Sequence, residues 1–95
     1  MATTTATATA TAAALTGYGI TAGARADLMP NGTEREAMRT AAREAHTLAQ
    51  ALERGEHYTP EQFGQAAREI DGHMTQAGSR SLPERAAGWL ALFTG

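Results

Sequence analysis

Residues 33–55, TEREAMRTAAREAHTLAQALERG, decide the fold class, because their apolar side chains recur at helical spacing. Thr33 and Glu36 match a capping box, in which a hydroxyl and a carboxylate satisfy the free N–H groups of a helix start. Gly55 supplies a C-terminal stop. The residues on the apolar face, separated by three or four positions, are Met38, Ala41, Ala45, Leu48 and Leu52. The pattern predicts a helix over about 33–54.

The same reasoning predicts a second helix over about 59–77. Thr59 is a good N-cap, and Pro60 suits the first helical position because its missing N–H is not needed there. Gly78 lies where this helix should end. Its apolar face consists of Phe63, Ala67, Ile70, Met74 and Ala77.

A third, shorter helix is predicted over about 81–93. Ser81 and Glu84 match a second capping box, with Pro83 early in the helix. Its apolar face consists of Leu82, Ala86, Trp89, Leu90 and Phe93. Because the connections are short, neighbouring helices should lie roughly antiparallel. We therefore predict an all-α fold, a small bundle of three helices.

The chain before the bundle has a different composition. Thr and Ala fill thirteen of the first fourteen positions, and no charged side chain occurs before Arg25. Thr and Ala alternate over residues 5–12 at the period of a strand, and such low-complexity sequence is typical of extended or disordered chain. We therefore predict an extended N-terminal arm over 1–24, anchored by Tyr18 and Ile20, and a helical domain over 25–95.

Composition excludes several classes of protein. Ten acidic and eight basic residues give a formal net charge of −2, which makes nucleic acid an unlikely partner and membrane attraction weak. The absence of cysteine removes disulfides, thiolate metal sites and cysteine nucleophiles. A basic region followed by a leucine-rich core, as in secretory signals, is missing, and the neutral arm is too polar to span a membrane. We expect a cytoplasmic protein, or a virion protein if a phage encodes it.

The amino-acid frequencies indicate the kind of organism that encodes the chain, and they predict a core that buries little apolar area. All eight basic residues are Arg, 22 residues are Ala and Val is absent, which is the usage of GC-rich coding and is typical of actinobacteria and their phages. Alanine favours helix but buries little apolar area, so the core of a domain this small contributes little free energy. A protein partner is therefore expected, in a homo-oligomer or a larger assembly.

A row of arginines on the first predicted helix is a candidate contact surface. Arg35, Arg39 and Arg43 stand four residues apart and could contact phosphates or an acidic protein. The glutamates that flank this row are Glu34, Glu36 and Glu44. A solvated, salt-bridged face is the simpler interpretation.

Candidate chemistry is sparse. His46 and His73 could approach each other in a helical hairpin, near Glu69 or Asp71, but no paired histidine motif is present and surface histidines are the more common case. The glycines at 17, 19 and 23 do not fit the dinucleotide fingerprint, and a chain without Lys cannot form a Walker motif. We predict no enzyme, no cofactor and no metal site.

The C-terminal helix carries more apolar side chains than one face can bury. Together with the arm it predicts a docking surface, whose members are Tyr18, Ile20, Leu82, Trp89, Leu92 and Phe93. Our first hypothesis is a non-enzymatic interaction or assembly protein, for example a minor virion or accessory component of an actinobacterial phage. The alternative is a small regulatory binder that inhibits a larger host protein through the charged face of the first predicted helix.

Overall fold

A computed structural model describes residues 5–95, and over these residues the chain folds into four α-helices. The helices are α1 (Thr5–Asp27), α2 (Thr33–Glu53), α3 (Pro60–Thr75) and α4 (Ala86–Thr94), with a 3-10 turn at Gly78–Arg80 before α4. Each helix packs against the next, and α4 packs back against α1, so the four surround one core in an elongated body of 45 × 19 × 16 Å. The all-α class is confirmed, and so are the two longer predicted helices. The three-helix count is wrong.

The predicted extended arm is wrong over residues 5–24, which belong to α1, while residues 1–4 lie outside the described chain. Alanine has the highest helix propensity, and a threonine hydroxyl in a helix can donate to the carbonyl four residues back. Thr11 Oγ1 does so to the Thr7 carbonyl oxygen at 2.7 Å. The helix runs without a break across residue 24, where the sequence placed a domain boundary. Its buried residues are Thr11, Ala12, Leu15, Tyr18, Gly19, Ala22 and Ala26.

The core is narrow and rich in alanine. Of the 21 buried residues that form it, ten are alanine. Two aromatic pairs lie in it: Phe63 stacks on Phe93 with ring centroids 4.4 Å apart, and Tyr18 meets Trp89 edge to face at 4.8 Å. The first pair joins α3 to α4 and the second joins α1 to α4. The short C-terminal helix is therefore held by aromatic contacts on both sides.

For α2, the sequence predicted the C-terminal end correctly and the N-terminal cap incorrectly. The capping box at Thr33 is wrong, because Thr33 is the first helical residue and Gly32 takes the N-cap position without a side-chain hydrogen bond. The stop at Gly55 is confirmed. Gly55 adopts a positive φ of 82°, its N–H donates to the Leu52 carbonyl at 3.1 Å and the Glu56 N–H donates to the Ala51 carbonyl at 3.0 Å. These two bonds form a Schellman motif.

The N-cap predicted at Thr59 is confirmed, and it forms a full capping box with a residue that the sequence did not single out. The Thr59 hydroxyl accepts from the Gln62 N–H at 3.1 Å, and the Gln62 side chain accepts from the Thr59 N–H at 3.0 Å. Both bonds fix where α3 begins.

Helix α4 begins at Ala86, five residues later than predicted, and the capping box at Ser81 and Glu84 is wrong. The cap comes instead from α3. The carboxylate of Asp71, only 9% exposed, accepts from the N–H of Arg85 at 3.0 and 3.1 Å and from that of Ala86 at 2.9 Å. A buried carboxylate is a stronger acceptor for these amides than a local hydroxyl. This contact ties the start of α4 to the middle of the bundle.

Helix α1 should be part of the folded unit. Leu15 is fully buried, so Leu15→Ala should lower the free energy of unfolding by about 2–5 kcal/mol. The matched control in the same helix is Thr9→Ala, since Thr9 is exposed and its truncation should change stability by about 0.5 kcal/mol or less. Urea unfolding followed by circular dichroism measures both. Equal, small effects would mean that the first helix does not contribute to the core.

The Asp71 cap should stabilise the bundle measurably. Asp71→Ala leaves two amide donors at the buried start of α4 without their acceptor, so we expect a loss of about 2 kcal/mol or more in thermal or urea unfolding. Asp71→Asn, which keeps one carbonyl acceptor, should lose less. Asp27→Ala is the control, because its ion pair with Arg39 is exposed and such pairs contribute about 0–1 kcal/mol. A cost for Asp71→Ala no larger than the control's would contradict the capping role.

Candidate functional site

The six residues predicted to bind a partner separate by exposure. The buried ones are Tyr18, Trp89 and Phe93, at 8%, 4% and 2% exposure. Leu82 is half-buried. Ile20 and Leu92 are exposed, at 61% and 43%. In the folded single chain, Ile20 and Leu92 are the members of this set that are exposed to a partner.

Ile20 belongs to a longer surface that the sequence did not reveal. The solvent side of α1 carries a row of small or apolar residues, separated alternately by four and three positions, which we call the outer stripe. Its members are Ala6, Ala10, Ala13, Gly17, Ile20 and Ala24. All six are exposed, and they extend about 27 Å along the helix at 1.5 Å per residue. No charged residue precedes Arg25 in this helix.

A groove lies beside the outer stripe, between α1 and α4, and it has a volume of about 430 Å³. Ala13 and Gly17 belong both to the stripe and to the lining of the groove. On the α4 side the lining includes Gly88 and Leu92, and both Gly17 and Gly88 have open space where a Cβ would stand. The outer stripe and the groove share Ala13 and Gly17, so they form one continuous, shallow surface.

The ionisable side chains that line this groove are Arg85 and Tyr18. The Tyr18 hydroxyl is buried and has no hydrogen-bond partner among the described residues. Burial raises the pKa of Tyr18 to about 12, and the nearby negative charge of Asp71 adds to the rise while Arg85 opposes it. A phenol this reluctant to ionise is a poor acid or base near neutral pH.

The arginine row on α2 is engaged within the chain. Arg39 forms an ion pair with Asp27 at 2.8 Å, and Arg43 donates to the Thr40 hydroxyl at 3.3 Å. Arg35 donates to the side-chain oxygen of Asn31. The sequence predicted salt bridges between this row and the flanking glutamates. In the structure, Arg39 pairs with Asp27 at the end of α1 instead, and Arg35 and Arg43 bond to neutral side chains.

A second cluster lies between α2 and α3 and contains Glu44, Glu69 and His73. His73 Nε2 is 3.3 Å from Glu44 Oε2, and one potential ligand atom from each of the three side chains lies within 4.8 Å of the others. Burial raises the pKa of Glu44, the charge of Glu69 raises it further, and His73 acts in the opposite direction. These are the described residues that could hold a cation.

The sequence pairs His73 with His46, but in the structure the neighbour of His73 is Glu44. His46 faces α1 instead, where a Cβ added to Gly19 would lie 2.9 Å from its ring. Glu44 precedes His46 by two residues and therefore points to a different side of α2. Glu69 and His73 are separated by four residues on α3, which is the helical spacing that could have indicated a shared site.

The buried Tyr18 hydroxyl generates a prediction. Tyr18→Phe removes a polar group that lacks a partner, so the free energy of unfolding should stay unchanged or rise by about 1 kcal/mol. Tyr18→Ala, which also removes the ring that packs on Trp89, should lose about 3–5 kcal/mol. Urea unfolding distinguishes the two variants. A clear loss of stability in Tyr18→Phe would show that the hydroxyl has a stabilising partner.

Within residues 5–95, no helix is both long and apolar enough to cross a membrane. Comparisons of the chain with protein-family models, with curated proteins and with solved structures gave no match. Function is therefore inferred from the geometry of the chain itself.

Proposed function

We propose that this chain is a non-enzymatic interaction or assembly protein that associates with a second copy of itself through the outer stripe of α1. The observation that carries the proposal is the uncharged, small-residue surface of that helix. The partner is a protein, and neither a membrane nor a nucleic acid is required. A virion or accessory component of an actinobacterial phage is one setting in which such a protein would act.

The charge distribution supports an interface on α1. The solvent faces of small soluble domains normally carry many charged side chains of both signs, which keep them apart in solution. Helix α2 follows that rule, with Glu34, Arg35, Glu36, Arg39 and Arg43 on or near its surface. Helix α1 has no charge over five turns, although its outer side is exposed. A surface of this kind costs little to desolvate when another apolar surface covers it.

The size of the side chains supports a helix as the partner. Alanine and glycine keep the surface low, so the axis of a second helix can approach closely. Ile20 projects from the stripe, while Gly17 and Ala13 leave space beside the groove. A two-fold axis would place the Ile20 of each copy against the low part of the other, which is the self-complementary pattern of a symmetric dimer. Leu92 extends this face from α4.

The thin core gives a second reason for association. A core in which ten of 21 residues are alanine buries little apolar area for its length. Covering the outer stripe in a dimer would add to the area removed from water and would stabilise the folded chain by mass action.

The alternative, an inhibitor that binds through the arginine row, has less support. Arg35, Arg39 and Arg43 already have hydrogen-bond or ion-pair partners within the chain. A partner would compete with these contacts for part of the hydrogen-bonding capacity of each guanidinium. We therefore place the interface on α1 rather than on α2.

The proposal predicts a self-associating protein that one added charge makes monomeric. Ala13→Glu places a carboxylate in the middle of the outer stripe, where the residue is exposed and glutamate is a good helix former. Sedimentation velocity at micromolar concentration should show a dimer or larger species for the wild type and a monomer for Ala13→Glu. The melting curve of the variant at low protein concentration should match that of the wild type.

Gln50→Glu is the matched control, because it adds the same charge to an exposed position of α2. It should associate like the wild type. A wild-type protein that stays monomeric at all accessible concentrations would refute the proposal, and so would an Ala13→Glu variant that associates normally. If both glutamate variants were monomeric, the effect would come from net charge and the outer stripe would lose its support.

A further inference from the structure

We propose that Glu44, Glu69 and His73 form a binding site for a transition-metal dication of the zinc class, which links α2 to α3. The inference is independent of the outer stripe, because the cluster lies on a different pair of helices. It rests on the placement of three side chains that carry metal-binding atoms.

The three side chains come from two facing helices. Glu69 and His73 are one turn apart on α3, so their side chains lie on the same face of that helix. Glu44 reaches them from α2. A cavity of about 230 Å³ between the helices is lined by both glutamates and by Tyr58, and it leaves room for a water molecule beside the cluster.

The distances suit a small tetrahedral ion. Zinc bonds of about 2.0–2.1 Å to nitrogen and oxygen place adjacent ligand atoms about 3.3–3.4 Å apart. His73 Nε2 and Glu44 Oε2 are 3.3 Å apart. The widest separation in the cluster is within 4.8 Å, and Glu69 is exposed, so a small change of its flexible side chain brings the third ligand into place.

The chemical types of the three ligand groups determine which class of cation the site would favour. Imidazole nitrogen and carboxylate oxygen are both zinc ligands, and where the protein supplies three of them a water molecule fills the fourth position. Magnesium and calcium prefer oxygen ligands throughout and larger coordination numbers. Bringing two carboxylates together within the cluster also costs electrostatic free energy, which a divalent cation would reverse. The cluster therefore favours zinc over magnesium.

Binding should be measured on the tag-free, full-length protein after treatment with a chelator and dialysis. Titration with zinc chloride near neutral pH in a calorimeter should show one saturable site per chain, and zinc should raise the melting temperature because it binds the folded state. Two variants test the ligands. His73→Ala and the nearly isosteric Glu44→Gln should each weaken zinc binding by about tenfold or more.

His57→Ala is the matched control, because His57 is exposed in the connection between α2 and α3 and does not belong to the cluster. It should bind zinc like the wild type. Magnesium chloride at the same concentrations should give no comparable binding. The proposal is overturned if the wild type binds no zinc, if folded Glu44→Gln and His73→Ala bind it as tightly as the wild type, or if magnesium binds equally well. Monomeric Ala13→Glu should retain the site, which separates this result from the test of self-association.

Discussion

The close approach of α1 and α2 is the constraint on which the rest of the bundle depends. At Gly19 an added Cβ would lie 2.9 Å from the ring of His46 and 3.2 Å from the carbonyl oxygen of Ala42, so only glycine fits without displacement. Ala22, Ala26, Ala41 and Ala45 continue this seam of small buried residues. Small side chains at these positions let the two helix axes approach closely.

The aromatic side chains of the core meet at α4. Phe93 stacks on Phe63 of α3, and Trp89 packs on Tyr18 of α1. Helix α4 is short, and it depends on two aromatic pairs and on the Asp71 cap to stay in place.

Sequence reasoning succeeded where the apolar and polar faces of a helix differ strongly. Helices α2 and α3 have charged outer sides and apolar inner sides, so their existence and approximate ends could be predicted. Helix α1 has no such contrast, because alanine and threonine fill both of its sides, and their alternation over residues 5–12 matches the period of a strand. The start of α4 could not be predicted locally, because its cap comes from Asp71, fourteen residues before Arg85.

The candidate sites, too, could be predicted from the sequence only in part. Ile20 and Leu92, predicted to bind a partner, are exposed, whereas Trp89 and Phe93 are buried, because Trp89 packs on Tyr18 of α1 and Phe93 stacks on Phe63 of α3. The continuous outer stripe became visible only once α1 was known to be a helix. Glu69 and His73 were considered together, but the third member of their cluster depends on the rotation of α2, which placed Glu44 rather than His46 beside them.

The alanine-rich core also has a consequence for how stability depends on temperature. The heat capacity change of unfolding increases with the apolar area that becomes exposed and decreases with the polar area. A core in which ten of 21 residues are alanine exposes little apolar surface when it opens, while every helical residue still exposes its peptide group. The heat capacity increment of this chain should therefore be small for its length. A small increment flattens the stability curve, so cooling would weaken this bundle less than it weakens a bundle with a leucine core.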